Sequence, residues 1–282
     1  MAKKPIPKRV MRARLLCAGV LLCLLASTAV GYAVTEQRKA AAPAEPVPTA
    51  TSPAAPAAEM PETTVPETTA PAETEPATVP EGLFPRAGAD EVLTVTPEGD
   101  NWALTPVGYR YRLPADYVPE LAAAVEGADE QLDARVAPAY AEMYAAAKAE
   151  GCTLTPYAGY VTQARQAERY ASRVQTLVAA GQDEASAKLA AAKRVEPAGA
   201  SEHNAGLAMD VGSASADFVN TAEYAWLAAH AWEYGFVERY PAGKTDVTGM
   251  EAEPWHWRYV GKAAARAMHE SGQCLEEYLG LI

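Results

Sequence analysis

The stretch from about Ala40 to Pro80 most limits what this chain can fold into, because it contains almost nothing that a core could bury. It consists largely of Ala, Pro, Thr and Glu, as in PETTVPETTAPAETEPATVPEG. A segment of this composition cannot offset the entropy lost on ordering, so we expect residues 40–82 to form an extended, disordered linker. Folding is then confined to residues 83–282, a length that suits one domain with a hydrophobic core.

The N-terminus carries a targeting signal. An uncharged apolar run, Leu15–Val34, follows six basic residues: Lys3, Lys4, Lys8, Arg9, Arg12 and Arg14. A run of this length can cross a bilayer core of about 30 Å as a helix. The basic flank is typical of a signal peptide or an uncleaved signal anchor with its basic end in the cytoplasm.

The length of the apolar run favours retention as an anchor within residues 1–39. The chain would then be a single-pass membrane protein with an extracytoplasmic domain. The alternative is a protein secreted after signal cleavage, since Gly31-Tyr32-Ala33 offers a small-x-small site to a signal peptidase.

The charge of the exported part argues against nucleic acid or anionic lipid as a partner. Without the six N-terminal basic residues, 18 basic residues face 36 acidic ones, a net charge near −18. A surface of this sign repels phosphate groups.

Four cysteines are present, of which Cys17 and Cys23 belong to the apolar run. The other two, Cys152 and Cys274, would lie in an oxidising compartment after export, and we expect them to form a disulfide. A metal–thiolate site is the weaker alternative, because neither cysteine lies beside another type of metal ligand.

Hydrophobic periodicity alternates along the rest of the chain. It predicts helices over 138–150, 163–180, 183–194, 221–234 and 262–271, and strands over 152–160, 207–212 and 255–260. Few strands separated by helices in irregular order indicate an α+β fold with a small sheet.

The motif SEHNAGLAMD, residues 201–210, joins a histidine to a predicted strand. Side chains alternate between the faces of a strand, so Leu207, Met209 and Val211 should face the core, with Asp210 on the opposite face. Gly206 permits a tight turn that would bring His203 back over the face of Asp210.

The motif EPWHWRY, residues 253–259, contains the second candidate site. Alternation places Trp255, Trp257 and Tyr259 on one face and His256 with Arg258 on the other. Glu253 precedes a proline, which disfavours helix and places this carboxylate at the edge of the strand.

Together the two motifs provide the donors of a catalytic zinc site. Such a site takes three protein ligands and leaves the fourth position for water, whose proton a nearby carboxylate accepts. We therefore expect His203, Asp210 and His256 to bind one zinc ion per chain, with Glu253 as the general base. The alternative is that each histidine is an ordinary packed residue, which is the interpretation we favour for His230 and His269.

The two motifs, S-x-H-x-x-G-x-A-x-D and E-P-W-H-x-R-Y-V-G, make the chain resemble the VanY-type D-alanyl-D-alanine carboxypeptidases of the LAS group of zinc peptidases. The resemblance covers about Asn101 to Leu279. It implies a small α+β fold around a central antiparallel sheet flanked by helices, and it implies the same ligands and base. The implied activity removes the C-terminal D-alanine from peptidoglycan stem peptides, and we take the protein to act as a monomer.

One position departs from that family, in which a Gly-Tyr-Arg-Ser-like turn supplies an arginine to the active site. Here Val161 stands at the arginine position, after Gly159 and Tyr160. Loss of such an electrostatic group lowers rates about 10²–10³-fold. We expect Arg165 or Arg258 to substitute for it, and Ser201 and Tyr160 to contact substrate.

Three functions are consistent with these residues. The first is a zinc D,D-carboxypeptidase, and the second is a related endopeptidase that cuts within the stem peptide. The third is a weakly active or non-catalytic wall-binding protein that keeps the metal. Retention of the three ligands and the base favours the first.

Overall fold

The computed structural model describes residues 82–88 and 91–282, and an antiparallel sheet of four short strands lies at its centre. In chain order the described strands are β1 Leu93–Thr94, β2 Tyr111–Arg112, β3 Leu121–Ala123, β4 Gln131–Asp133, β5 Pro156–Ala158, β6 Ala208–Val211, β7 Phe236–Glu238 and β8 His256–Tyr259. The central sheet has the order β5-β6-β8-β7, and all its pairings are antiparallel. The predicted α+β fold is confirmed.

The register between β6 and β8 determines the site. Asp210 lies directly opposite His256, and Met209 lies opposite Trp257. Leu207, Met209 and Val211 pack in the main core, as the alternation predicted. Asp210 and His256 therefore share the other face of the sheet, where cross-strand neighbours are close enough to act together.

Helices surround this sheet: α1 Ala137–Ala149, α2 Gln163–Ala179, α3 Glu184–Ala192, α4 Ala222–His230, α5 Thr245–Thr248, α6 Lys262–Ser271 and α7 Leu275–Tyr278. Three of these helices begin with an N-cap residue whose side chain accepts a hydrogen bond from a backbone N–H group. These residues are Thr162 for α2, Asp183 for α3 and Thr221 for α4. Such caps satisfy N–H groups that lack a partner within the helix.

Two predicted elements are shorter than expected. The strand predicted from Cys152 to Tyr160 is regular only over β5, and the helix predicted over 221–234 becomes a 3-10 helix from Ala231 to Tyr234. The pairs β1–β2 and β3–β4 form two further two-stranded sheets that the sequence did not indicate. β7 was also missed, although it forms one edge of the central sheet.

The predicted disulfide is wrong. Cys152 and Cys274 are both buried and unpaired. Cys152 packs in the main core, whereas Cys274 lies at the N-cap of α7, directly before Leu275 of a second apolar cluster. A disulfide needs Cα atoms within about 7 Å of each other, and these two residues belong to separate regions of the domain.

The predicted anchor, Leu15–Val34, lies outside the described residues, as does the predicted linker except for Gly82. Within the described part of the chain, none of the helices is both long and apolar enough to span a bilayer.

Candidate metal centre

A 3-10 helix, Glu202–Ala205, presents His203 to the centre of the sheet. This helix ends at Gly206, which adopts a left-handed conformation with φ of 68°. A Cβ atom at Gly206 would lie 2.6 Å from the backbone nitrogen of Asp133, which is closer than real side chains approach. Glycine at this position therefore permits both the turn and the close packing against β4.

The ring of His203 is oriented by the backbone. Its Nδ1 atom lies 2.8 Å from the carbonyl oxygen of Gly159. A carbonyl oxygen only accepts, so Nδ1 carries the proton and Nε2 remains available as a metal ligand. The buried side chain of Asn204 donates to the carbonyl of Val161 at 2.7 Å and accepts from the backbone N–H of Gly199 at 3.0 Å. These contacts fix the position of His203.

Asp210 lies between the two histidines. Its Oδ1 atom is 3.0 Å from Nδ1 of His256 and 3.4 Å from Nε2 of His203. The three candidate ligand atoms all lie within 4.8 Å of one another. The structure thus brings together the three residues that the sequence predicted as ligands.

These separations suit zinc. Zinc–nitrogen and zinc–oxygen bonds of about 2.0–2.2 Å at tetrahedral angles place neighbouring ligand atoms roughly 3.3 Å apart. The two distances from Asp210 fall on either side of that value. Two imidazoles and one carboxylate are also a donor set that catalytic zinc uses, with a fourth position left open.

The electrostatics of the three residues favour a cation. Burial raises the pKa of Asp210, but the charges of His203 and His256 and their hydrogen bonds outweigh burial and hold this pKa well below its usual range. Burial lowers the pKa of His256, yet hydrogen bonds to Asp210 and Glu202 raise it overall to about 10. The buried space between these side chains therefore attracts positive charge.

Glu253 reaches the same space through a tight turn. The backbone N–H of His256 donates to the carbonyl of Glu253 at 3.0 Å, which closes a turn that has Pro254 at its second position. Burial raises the pKa of Glu253 to about 7. That value is the net result, because the charges of His256 and His203 oppose the rise while the charge of Asp210 adds to it. A carboxyl group with this pKa can accept and release a proton near neutral pH.

Arg258 does not line a substrate cleft, so this prediction is wrong. Its side chain is fully buried, and Nη1 donates to Oε1 of Glu202 at 2.8 Å. Its Nη2 atom donates to the backbone carbonyls of Ala103 and Thr105. Because its donors are occupied inside the protein, Arg258 cannot meet a substrate carboxylate.

A buried charge network, which the sequence motifs did not reveal, lies behind His256. Glu202 accepts from Arg258 and also from Nε of Arg239 at 2.7 Å, and Arg239 in turn pairs with Glu276. The second oxygen of Glu202 lies 3.2 Å from Nε2 of His256. The signal in the sequence was an acidic residue directly before His203, in a motif whose Leu207 and Met209 were predicted to face the core.

The other predicted substrate contacts differ in how far they are exposed to solvent. Ser201 is buried immediately before the 3-10 helix that carries His203, and Tyr160 is half-buried next to Val161. Val161 is buried, and its backbone N–H donates to the carbonyl of His203 at 3.1 Å. Arg165 lies in the first turn of α2 with its side chain 64% exposed, and it pairs with Glu168.

Arg194 is a further cation beside the site that the sequence analysis did not identify. Its charge is one of those that lower the pKa of Glu253, and its partner Glu251 lies two residues before Glu253 in the chain. The guanidinium is exposed and pairs with Glu251 at 2.6 Å.

Comparison with known proteins identifies the family. The family profile described as VanY: D-alanyl-D-alanine carboxypeptidase matches residues 129–262. A D-alanyl-D-alanine carboxypeptidase of Enterococcus faecalis (strain ATCC 700802 / V583) is 37% identical over 188 residues. This alignment covers 66% of the chain and 69% of the relative.

Two solved structures are similar in fold. One is a mutant of the vancomycin resistance D,D-pentapeptidase VanY from a VanB-type cassette in complex with Zn(II), with 38% identity and a TM-score of 0.56. The match covers 63% of this chain and 99% of that one. The other is the LdcB LD-carboxypeptidase, with 32% identity, a TM-score of 0.59, and coverage of 70% and 94%.

Both motifs lie within the matched region, and their side chains form one centre on the sheet. The chain belongs to the VanY-type D-alanyl-D-alanine carboxypeptidases, which are zinc metallopeptidases.

Proposed function

We propose that this protein removes the C-terminal D-alanine from peptidoglycan stem peptides by zinc-dependent hydrolysis. One observation carries the proposal: the three candidate ligand atoms of His203, Asp210 and His256 lie within 4.8 Å of one another. Membership of the family and the D-alanyl-D-alanine carboxypeptidase of Enterococcus faecalis support the choice of substrate.

In this proposal each residue has one task. His203 Nε2, Asp210 Oδ1 and His256 Nδ1 hold the metal. When bound, zinc acts as a Lewis acid and lowers the pKa of a coordinated water to about 7. Glu253 accepts the proton that the attacking water loses and passes it to the amine of the departing D-alanine. Its raised pKa suits both transfers.

A carboxypeptidase must also bind the terminal carboxylate of its substrate. With Val161 at the family's arginine position and Arg258 buried, Arg194 and Arg165 are the cations that we propose for this task. Both guanidinium groups are exposed and pair with exposed glutamates. Such pairs contribute about 0–1 kcal/mol, so either can be exchanged for a substrate carboxylate. Ser201 and Tyr160 remain proposed substrate contacts.

Two other activities remain alternatives. An endopeptidase would need no cationic side chain to bind a terminal carboxylate of the substrate. A wall-binding protein would bind zinc without hydrolysing the peptide. The similarity to the LdcB LD-carboxypeptidase adds a third alternative, which is cleavage of an L,D bond rather than a D,D bond.

The decisive experiment identifies the products that the purified full chain releases with zinc: free D-alanine, D-alaninamide or a larger fragment. The substrates are a stem pentapeptide ending in D-Ala-D-Ala, the corresponding tetrapeptide with an L,D terminal bond, and the amidated pentapeptide. We expect chelator-sensitive release from the free pentapeptide only. Cleavage of the tetrapeptide alone would assign L,D specificity, and equal cleavage of the amidated pentapeptide would favour an endopeptidase.

The variant Val161→Arg belongs in the same experiment. Activity of the unmodified protein would mean that another cation replaces the family's arginine. Activity of the variant alone would mean that the site is intact but detuned for this substrate. No release from either protein, despite bound zinc, would contradict the carboxypeptidase proposal and favour binding without turnover.

We also propose that the domain acts outside the cytoplasm, tethered by Leu15–Val34 and the linker that follows. The N-terminal basic residues and the length of the apolar run support this orientation. Protease added to intact cells without their wall should digest the domain. Protection from the protease until lysis would contradict the proposed orientation.

A further inference from the structure

We propose that Glu202 is a positioning residue for the metal centre, because it holds His256 in the tautomer that presents Nδ1 to the metal. The inference rests on the ligand set proposed above. It concerns the contact between Oε2 of Glu202 and Nε2 of His256, which are 3.2 Å apart in the fully buried interior.

The direction of this hydrogen bond follows from the chemistry of the two groups. An ionised carboxylate only accepts, so Nε2 of His256 must carry the hydrogen. Once the metal displaces the proton that Nδ1 shares with Asp210, the lone pair of the imidazole is on Nδ1. That atom faces Oδ1 of Asp210 at 3.0 Å, on the side where His203 also points.

Glu202 has little freedom to move away from this position. Its other oxygen, Oε1, accepts from Nε of Arg239 at 2.7 Å and from Nη1 of Arg258 at 2.8 Å. Arg239 is anchored in turn by both oxygens of Glu276, at 2.9 and 2.6 Å. The carboxylate is therefore held by charge-assisted hydrogen bonds on the side away from His256.

The charges of this network balance without His256. Arg239 and Arg258 provide two positive charges, while Glu202 and Glu276 provide two negative charges. Glu202 therefore does not need an imidazolium as its counter-ion. Bound zinc would take the place of the ring proton on Nδ1, so His256 would ligate as a neutral imidazole while its Nε2–H still donates to a charged acceptor, an arrangement that makes the ligating nitrogen more basic.

Replacement of Glu202 by glutamine tests this geometry, because an amide has only one accepting oxygen. The two guanidinium groups are the stronger donors and should retain that oxygen, which directs the NH₂ group at Nε2 of His256. The imidazole must then accept through Nε2 and carry its hydrogen on Nδ1. A protonated Nδ1 cannot bind the metal.

The experiment measures zinc affinity by competition with a chromophoric chelator for the full chain and two variants. Glu202→Gln should weaken zinc binding about 10–100-fold, the usual effect of losing an outer partner of a ligating histidine. The matched control is Glu276→Gln, which disturbs the same arginine but does not contact His256. Its zinc affinity should stay close to that of the unmodified protein.

Two results would overturn the role of Glu202. One is unchanged zinc affinity in folded Glu202→Gln, and the other is an equal loss in both variants, which would indicate a general structural effect. If the unmodified chain takes up no zinc, and His203→Ala changes nothing, the proposed metal site itself is wrong and the role of Glu202 falls with it.

A second measurement does not depend on whether the variant folds. The chain has only four histidines, so ¹⁵N-histidine labelling of the zinc-loaded protein gives an assignable spectrum. We expect His256 to show hydrogen on Nε2 and coordination through Nδ1. Coordination through Nε2 would overturn the inference directly.

Discussion

Nδ1 of His256 lies 3.0 Å from Oδ1 of Asp210, and the two residues are direct partners in the antiparallel ladder between β6 and β8. The separation of two proposed ligands is thus determined by the register of the sheet. A slip of one residue would move one of the two side chains to the core face. The stability of the sheet therefore also maintains the geometry of the metal centre.

Glu253→Gln should lower kcat about 10²–10⁴-fold while zinc content stays the same, because the amide cannot accept the proton of the attacking water. The matched control is Glu251→Gln, which removes the exposed partner of Arg194 two residues away. Steady-state kinetics with metal analysis would check this. A normal rate in zinc-loaded Glu253→Gln would contradict its role as general base.

Arg194→Ala should lower kcat/KM for the pentapeptide about 10–100-fold, the range expected for a lost hydrogen bond to a charged group. The physical reason is that Arg194 is an exposed cation whose partner, Glu251, lies two residues before Glu253, so the guanidinium can be exchanged for a substrate carboxylate. Arg165→Ala removes the same charge from another exposed ion pair. If only Arg165→Ala impairs catalysis, the carboxylate is bound by Arg165, one of the two arginines that the sequence motifs suggested.

Gly206→Ala should destabilise the domain by about 2 kcal/mol or more and weaken zinc binding through a displaced His203. The new Cβ would add overpacking against Asp133 to the strain of a left-handed backbone. Gly151→Ala is the control, since its φ is also positive but nothing lies within 4 Å of the added atom. It should cost only about 1 kcal/mol. Equal losses in urea denaturation would show that packing at Gly206 is unimportant.

Cys152 and Cys274 should be free thiols that react with a thiol reagent only after unfolding, because both are buried. Burial also raises the pKa of Cys274 to about 11, which further suppresses its reactivity. Replacing Cys274 by serine should therefore avoid the loss of about 2–5 kcal/mol that follows removal of a native disulfide. A cross-linked peptide in a non-reducing digest would contradict this.

Glu196 should make the stability of the domain fall as pH rises. Burial, with the charges of Glu202 and Glu253, raises its folded-state pKa to about 8, against about 4.3 in an unfolded chain. The folded protein then binds the proton more tightly. The resulting stabilisation is complete below about pH 4 and is lost as pH rises through 8.

Glu196→Gln should reduce this slope, because the amide is neutral at every pH and can still accept from the hydroxyl of Tyr240. The matched control is Glu270→Gln on the exposed end of α6. Urea denaturation at pH 5, 7 and 9 would check the difference. A slope in Glu196→Gln equal to that of the control would refute the assignment.

Local patterns were enough to predict β6 and β8, the two middle strands of the central sheet, and the proposed ligands. The two-residue period of a strand places Met209 and Asp210 on opposite faces whatever the rest of the chain does, and the same holds for Trp257 and His256. The outer strands were missed because β1 and β2 have only two residues each and are stabilised by pairing rather than by local pattern.

Arg258 and Glu202 illustrate what a local pattern could not decide. Alternation correctly placed Arg258 on the face of His256, but it did not indicate whether that face opens to solvent or is buried. The structure buries the arginine against Glu202 and backbone carbonyls near Thr105. The predicted disulfide was wrong for a similar reason. Whether Cys152 and Cys274 meet depends on how α7 packs on the rest of the domain, which their neighbours in the sequence do not determine.

The sequence by itself therefore determined which residue types are available for chemistry, and which of them share a strand face, because backbone geometry imposes that period locally. Only the tertiary structure decided which charged groups reach the site and which are neutralised inside the protein. Those outcomes depend on desolvation and on contacts between segments distant in the chain, as when Arg239 and Arg258 meet Glu202 behind His256.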